Sequence, residues 1–284
     1  MPNRVQGHRA TRPTPEPLHS SVLDHASVVE NQANFPLINN EGLWPSYNML
    51  DLFNTTRVCP RPTDNKRFEF APWAPAFNFT VYGAVQCGLV GLDHADQEAE
   101  VRRVFETTEG RGVERALLEN RFVERVRDNS LILPERSEWD APVDLTPAVA
   151  AGINVKTALA LLEGYGAANY AGQITVHMPR TAVSLISDMV QWDGDKAFTP
   201  AGSKIAVGGG YDDPSENPGP LLDIYATGEV YVEKSEKVLM KTWELNGDAN
   251  PVLDANTGAT LVQRSYRAAV DGFVAKATGT LWAA

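Results

Sequence analysis

Three observations predict an α+β fold for this 284-residue chain. One is a long amphipathic run, EAEVRRVFETTEGRGVERALLENRF, from Glu98 to Phe122. Another is a middle stretch in which helical and strand periodicities alternate. The third is the texture on either side, where aromatic and β-branched residues alternate with polar ones as they do in half-buried strands.

Residues 1–45 are rich in proline, asparagine and other polar residues, with a weak apolar pattern at Val22, Leu23, Val28 and Val29, and they read as an extended arm. Residues 46–80 turn aromatic and β-branched but carry prolines at 60, 62, 72 and 75, which deny them a central place in a sheet. A projecting loop or edge hairpin is expected. Its aromatics Phe53, Phe68, Phe70 and Trp73 exceed what a lone hairpin can bury, so they ask for a partner surface. In FNFTVYG, Phe77, Phe79 and Val81 alternate with Asn78 and Thr80 as a half-buried strand should.

The long helix follows, with Asp93 as its expected N-cap and a length of roughly 37 Å at 1.5 Å per residue. Val101, Val104, Phe105, Thr108, Gly112, Val113, Ala116 and Leu117 form its apolar stripe. Its acids are expected on the wet face, Glu98 supported by Arg102 and Glu100 by Arg103. Gly110 and Gly112 each cost about 1 kcal/mol relative to alanine, which predicts a close approach to the backbone or a bend.

Residues 123–152, with Pro134, Pro142 and Pro147, form an irregular connection. NVKTALALLEGYG predicts a short helix with Val155, Ala158, Leu159 and Leu162 inward, stopped at Gly164 or Gly166. QITVHMP is a strand, TAVSLISDMVQW a helix capped by Thr181, and GSKIAVGGGY a strand ending in a glycine turn. LLDIYATGEVYVEKS reads as a hairpin about Thr227 and Gly228, and GATLVQRSYRAAVDGFVAKATGTLW as a long closing strand region.

Composition limits the function. Hydrophobic residues at 43% and charged residues at 21% describe an ordinary globular protein, with no apolar run long enough for a membrane helix and no signal-peptide core. Folding in a cytoplasm is expected. A net charge of −11 argues against a surface that embraces DNA; the only basic stretch is the short tail with Arg4, Arg9 and Arg12, which reads as disordered. Cys59 and Cys87 are read as reduced thiols, with neither a disulfide framework nor a zinc site.

The chemical motifs resolve into bland readings. VGGGYDD lacks the lysine and hydroxyl residue of a Walker loop and the GxGxxG spacing, so it is expected to be a turn that needs positive φ. Asp193 and Asp195 in WDGDKAF resemble half a calcium loop without its closing glutamate, and an exposed turn is preferred. His177 lacks a nucleophile or acid partner in sequence and reads as a hydrogen-bonded strand histidine. Asp212, Asp213 and Glu216 read as a solvated loop tip. No catalytic, cofactor or metal residue is assigned, and the chain is expected not to be an enzyme.

The order of parts resembles the major capsid proteins of tailed phages, the Hong Kong 97 type fold that encapsulins share. FNFTVYG followed by EAEVRRVFETTEGRGVERAL looks like the family's strand and spine helix. KTALALLEGYGAANYAGQITVHMPRTAVSLISD and GSKIAVGGGY look like its axial domain, and LLDIYATGEVYVEKS and TLVQRSYRAAVDGFVAKATGTL like its returning peripheral strands. The resemblance implies an N-terminal arm at 1–45, an extended β loop at 46–80, a peripheral domain with a long spine helix at 81–150, an axial αβ domain at 151–220 and returning peripheral strands at 221–284. It also implies pentamers and hexamers in an icosahedral phage head, made in the bacterial host cytoplasm. Either a separate scaffolding protein would assist, with a decoration protein as a further partner, or a precursor segment would have been removed, and packaged double-stranded DNA would lie nearby without sequence-specific contacts. The arm, long and polar, favours a capsid over an encapsulin-like nanocompartment; a minor head protein is the other alternative. The covalent crosslinking known in part of the family would need Lys66 with Asn246, Asn250 or Asn256, and is not the favoured reading.

Overall fold

Alternation of apolar and polar residues produces two sheets, and the computed structural model describes them through residues 18–31, 43–45, 73–88, 94–122, 142–148, 152–170, 172–212, 221–236, 238–245 and 257–281. The first sheet has the order β1 (Ser27–Asn31), β11 (Val230–Ser235), β13 (Thr257–Val270), β3 (Trp73–Gly88) and β2 (Leu43–Pro45), with β12 (Leu239–Leu245) also pairing with β13. Its spine is the antiparallel β3–β13 ladder, running from Ala76 opposite Ala269 to Gly88 opposite Thr257. Pro75, which has no N–H to give, lies just beyond that ladder and opposite Leu43 of β2. Phe79 stacks on Tyr266 at 5.3 Å, while Tyr82 is 72% exposed, as the period of two requires.

Helix α2 (His94–Leu117) lies across β3 and β13. Val101, Phe105, Val113 and Leu117, half of the expected stripe, are buried. Thr108 departs from it: the residue is exposed and its hydroxyl donates to the Val104 carbonyl at 2.9 Å, a local bond that satisfies it without burial. Phe105 lies 5.9 Å beneath the Arg264 guanidinium. Phe105→Ala should therefore cost about 3 to 5 kcal/mol in chemical denaturation, and a wild-type midpoint would show that the helix is not packed through this ring.

The two helix glycines mark close approaches. A Cβ on Gly112 would stand 2.5 Å from Val81 Cγ1, and one on Gly110 2.9 Å from the Ser21 side chain. Beyond Leu117 the helix widens into a π-helical turn, Leu118–Phe122, which ends with Phe122 buried.

The second sheet runs β4 (Val143–Asp144), β14 (Val274–Thr280), β10 (Leu221–Thr227), β6 (Thr175–His177), β9 (Lys204–Ala206), β8 (Lys196–Phe198) and β7 (Gln191–Asp193), with β5 (Ile153–Asn154) on β14. Helix α3 (Val155–Asn169) covers β10 and β14, burying Val155, Ala158, Leu159 and Leu162 as expected. It does not stop at Gly164 or Gly166. Both lie inside it, and Gly166 lets Ile174 and Phe273 approach, since a Cβ there would meet Ile174 at 2.9 Å. Asn154 caps its start by accepting the Thr157 N–H at 2.8 Å. Helix α4 is shorter than expected, Arg180–Leu185, and Thr181 lies within it; the residue before the helix is Pro179. A 3-10 turn, Ser187–Met189, leads into β7.

The expected hairpin about Thr227 and Gly228 does not form. β10 pairs with β14 and β6 in the second sheet, whereas β11 pairs with β1 and β13 in the first. The chain crosses from sheet to sheet at Gly228–Glu229, and the neighbouring pair β13–β14 crosses beside it at Asp271–Phe273. The crossings are bonded together: Gly228 N donates to Asp271 O at 3.2 Å, Asp271 N to Glu229 O at 2.8 Å, and Tyr170 Oη to Asp271 Oδ2 at 3.1 Å. Residues 221–227 and 274–280 thus share a sheet with β6 and β9.

Candidate functional site

A buried carboxylate joins three parts of the chain where the N-terminal segment, α2 and the glycine loop meet. Helix α1 (Val22–His25) is only four residues long, yet Val22 is fully buried. The acids of α2 do not all lie on its wet face. Glu114 is 0% exposed, and its carboxylate accepts three backbone N–H groups: Val22 at 2.9 Å and Gly208 at 2.7 Å on Oε1, and Gly210 at 2.8 Å on Oε2. Amide dipoles replace its water, which is why a carboxylate can occupy a core position.

The glycine sequence now has a specific explanation. Gly209 has φ +96°, as a turn glycine should. Gly208 and Gly210 are glycines for space: a Cβ on either would stand 2.6 or 2.4 Å from Glu114. The loop is a backbone nest, and the carboxyl group it holds belongs to α2.

Glu109, also expected to be wet, is buried as well. Its Oε1 accepts from the Arg264 guanidinium and the Tyr266 hydroxyl, tying α2 to β13. The desolvation cost is offset by pairing with a cation and a neutral donor together.

Burial raises the Glu114 carboxyl from its ordinary 4.5 to about 7, outweighing the three amide bonds that act in the opposite sense, with the Asp212 charge adding to the rise. His177 is equally enclosed. Its Nδ1 lies 2.7 Å from Tyr211 Oη and its Nε2 2.9 Å from Thr227 Oγ1, and burial lowers its pKa from 6.5 to about 3. Thr227 donates its own proton to the Gly228 carbonyl, so its oxygen accepts from His177 Nε2–H and Nδ1 accepts from Tyr211. His177 is therefore the strand histidine expected, neutral and saturated.

Ser20 and His25 make a second pair that invites a catalytic reading. Ser20 Oγ donates to the Ile205 carbonyl at 2.6 Å and accepts the Ala197 N–H at 2.9 Å. His25 Nε2, 2.8 Å away, is then the donor to Ser20, the reverse of base activation. Burial lowers His25 to about 4.

These shifts fix the sign of a pH dependence. The histidines, depressed in the fold, contribute stability that is full above pH 6.5 and is lost as pH falls toward 4 and 3. Glu114, raised in the fold, contributes stability that is full below 4.5 and lost as pH rises through about 7. From 4.5 to 6.5 unfolding takes up two protons on the histidines and releases one from Glu114. Glu114→Gln should therefore steepen the acid loss of stability in that interval; an unchanged or flatter slope in urea melts across pH would contradict the assignment.

The other sequence candidates do not converge on this place. Asp193 and Asp195 flank an exposed turn at Gly194, where Asp195 meets His19 at 3.1 Å. No carboxylate, histidine and cysteine cluster with the makings of a metal site occurs among the described residues. Asp212 is not a solvated tip: it is partly buried, and its Oδ2 accepts the Arg180 N–H at 3.0 Å, supplying α4 with the cap that Pro179 lacks. Asp213, Glu216, Lys66, Asn246, Asn250, Asn256, Cys59, Asp93, Arg4, Arg9 and Arg12 lie outside the described residues, as do the loop aromatics Phe53, Phe68 and Phe70; for Cys87 and Trp73 only the backbone, in β3, is described.

No protein-family model and no curated protein sequence matches the chain. Solved structures do. The capsid of Ralstonia phage GP4 aligns with a TM-score of 0.50 at 8% identity, over 97% of this chain and 96% of its own. The holo-SrpI encapsulin complex from Synechococcus elongatus PCC 7942 aligns with a TM-score of 0.51 at 11% identity, over 96% and 93%. The fold is the Hong Kong 97 type, mixed α+β, common to phage capsids and encapsulins.

Proposed function

We propose that this chain is a shell-forming structural subunit, the major capsid protein of a tailed double-stranded DNA bacteriophage, located in the phage head after synthesis in the host cytoplasm. One observation carries the reading: the likeness to a capsid and to an encapsulin extends over nearly the whole chain and not over one module. The interior supports it. Glu114, Glu109, His177 and Ser20 spend their hydrogen bonds on joining the chain to itself, which suits a subunit built to bear load and not to turn over a substrate.

The surface supports it too. Exposed apolar side chains are spread over both sheets, with Val29 on β1, Leu221 on β10, Trp192 on β7 and Leu185 on α4. Such scattering suits several modest contacts, which closure of a shell multiplies, better than it suits one deep pocket. Pentamers and hexamers would be the units, with a scaffolding or decoration protein as helper. A net charge of −11 suits an inner surface that tolerates packaged DNA without gripping it. No helix among the described residues is long and apolar enough to cross a membrane.

An encapsulin-like compartment is the second reading, favoured by the SrpI likeness. The capsid is preferred because the first 45 residues are polar and proline-rich, and the helix described within them spans only Val22–His25. Negative-stain microscopy of the purified protein tests both. Shells of regular diameter are expected; shells that co-purify with an enclosed enzyme would transfer the protein to the second reading, and a monomer that never assembles would overturn both.

A further inference from the structure

The N-terminal segment passes over both sheets. Ser20 bonds to Ala197 and Ile205 of the second sheet, its carbonyl accepts the Val207 N–H at 2.7 Å, and Lys204 Nζ donates to the His25 carbonyl at 3.2 Å. A few residues later β1 lies parallel on β11 of the first sheet, Ser27 opposite Tyr231. Ser20 is the one non-glycine residue with positive φ among the described residues, at 61°, where the chain turns to make these contacts. The segment is a strap, and the bond at its middle is the one from Val22 to Glu114.

We infer that Glu114 is the buckle of this strap, making the N-terminal segment and the glycine loop a single two-position unit: seated together on the carboxylate, or released together. Three buried N–H groups depend on one side chain. When Glu114 withdraws, none of them can stay buried without an acceptor, so Val22, Gly208 and Gly210 must reach water in one step. The seat is also exclusive. A Cβ at residue 210 would lie 2.4 Å from Glu114 Cβ and 2.5 Å from the Arg111 carbonyl, so a small change in the loop displaces the buckle. Coupling of this kind is reciprocal: pulling on the arm loosens the loop, and disturbing the loop loosens the arm. The device belongs to the single subunit and does not depend on shell formation.

Native-state hydrogen exchange on the full chain tests it. In the wild type, at low denaturant, the amides of Val22, Gly208 and Gly210 should exchange through one opening, with a common free energy and a common denaturant slope, below those of global unfolding. In Gly210→Ala the Val22 amide should exchange about tenfold faster or more, although the atoms nearest an added methyl belong to Glu114, Arg111 and Arg115 and not to α1. Different openings for the three amides in the wild type, or an effect of Gly210→Ala confined to residues 208–212, would overturn the inference. If that variant does not fold, the wild-type measurement decides alone.

Discussion

Glu114→Ala is expected to lower subunit stability by about 3 kcal/mol or more in urea or guanidinium melts. Three buried N–H groups lose their only described side-chain acceptor, and each unsatisfied donor costs about 1 to 3 kcal/mol. Removing the carboxyl returns its own desolvation cost, which keeps the net below the sum of the three. Glu114→Gln should be milder, because one amide oxygen remains while its NH2 group faces an N–H donor. An alanine variant as stable as wild type would mean that the loop finds other acceptors without strain.

A comparable loss, about 3 to 5 kcal/mol, is expected for Phe122→Ala. The ring stacks on Tyr225 at 4.9 Å, lies 4.8 Å from His177 and 6.3 Å from Tyr211, and closes the core between α2 and the second sheet. The variant has a second readout. Burial is what holds His177 near 3, so a void that admits water should move its pKa upward toward 6.5 in an NMR titration. Phe122→Leu, which preserves much of the volume, should move both quantities less. Loss of stability with an unmoved His177 would show that the cavity collapses dry.

Much of the fold was legible because its signals are local. Periodicity located α2, α3, β3 and β6, and the cost of Gly110 and Gly112 pointed to close approaches that Ser21 and Val81 make. The failures with the largest consequences are non-local. Thr227–Gly228 looks like a hairpin turn from its own residues, and only the partners of β10 and β11 reveal a crossing between sheets. Glu114 was misplaced by charge alone, although its helical neighbours gave a usable signal: Gly110 stands four residues before it, Leu117 and Leu118 three and four after. A carboxylate on that line is on the buried stripe, and the backbone N–H groups of a glycine run such as Gly208–Gly210 can reach it with no side chain in the way. What no pattern within the helix could supply is the third partner, Val22, from the arm.

The ladders also set an order of events during synthesis. Val28 pairs with Val232, and Ala76 with Ala269, so the first strands made have their partners among the last. Such pairing pays the entropy of closing very long loops before any contact returns it, which predicts slow folding and a β3 edge left open until β13 emerges. A chain interrupted before residue 257 has no β13 to complete the first sheet and no β14 for the second. Chains that lack β13 and β14 are therefore expected to remain unfolded and to be removed by proteolysis.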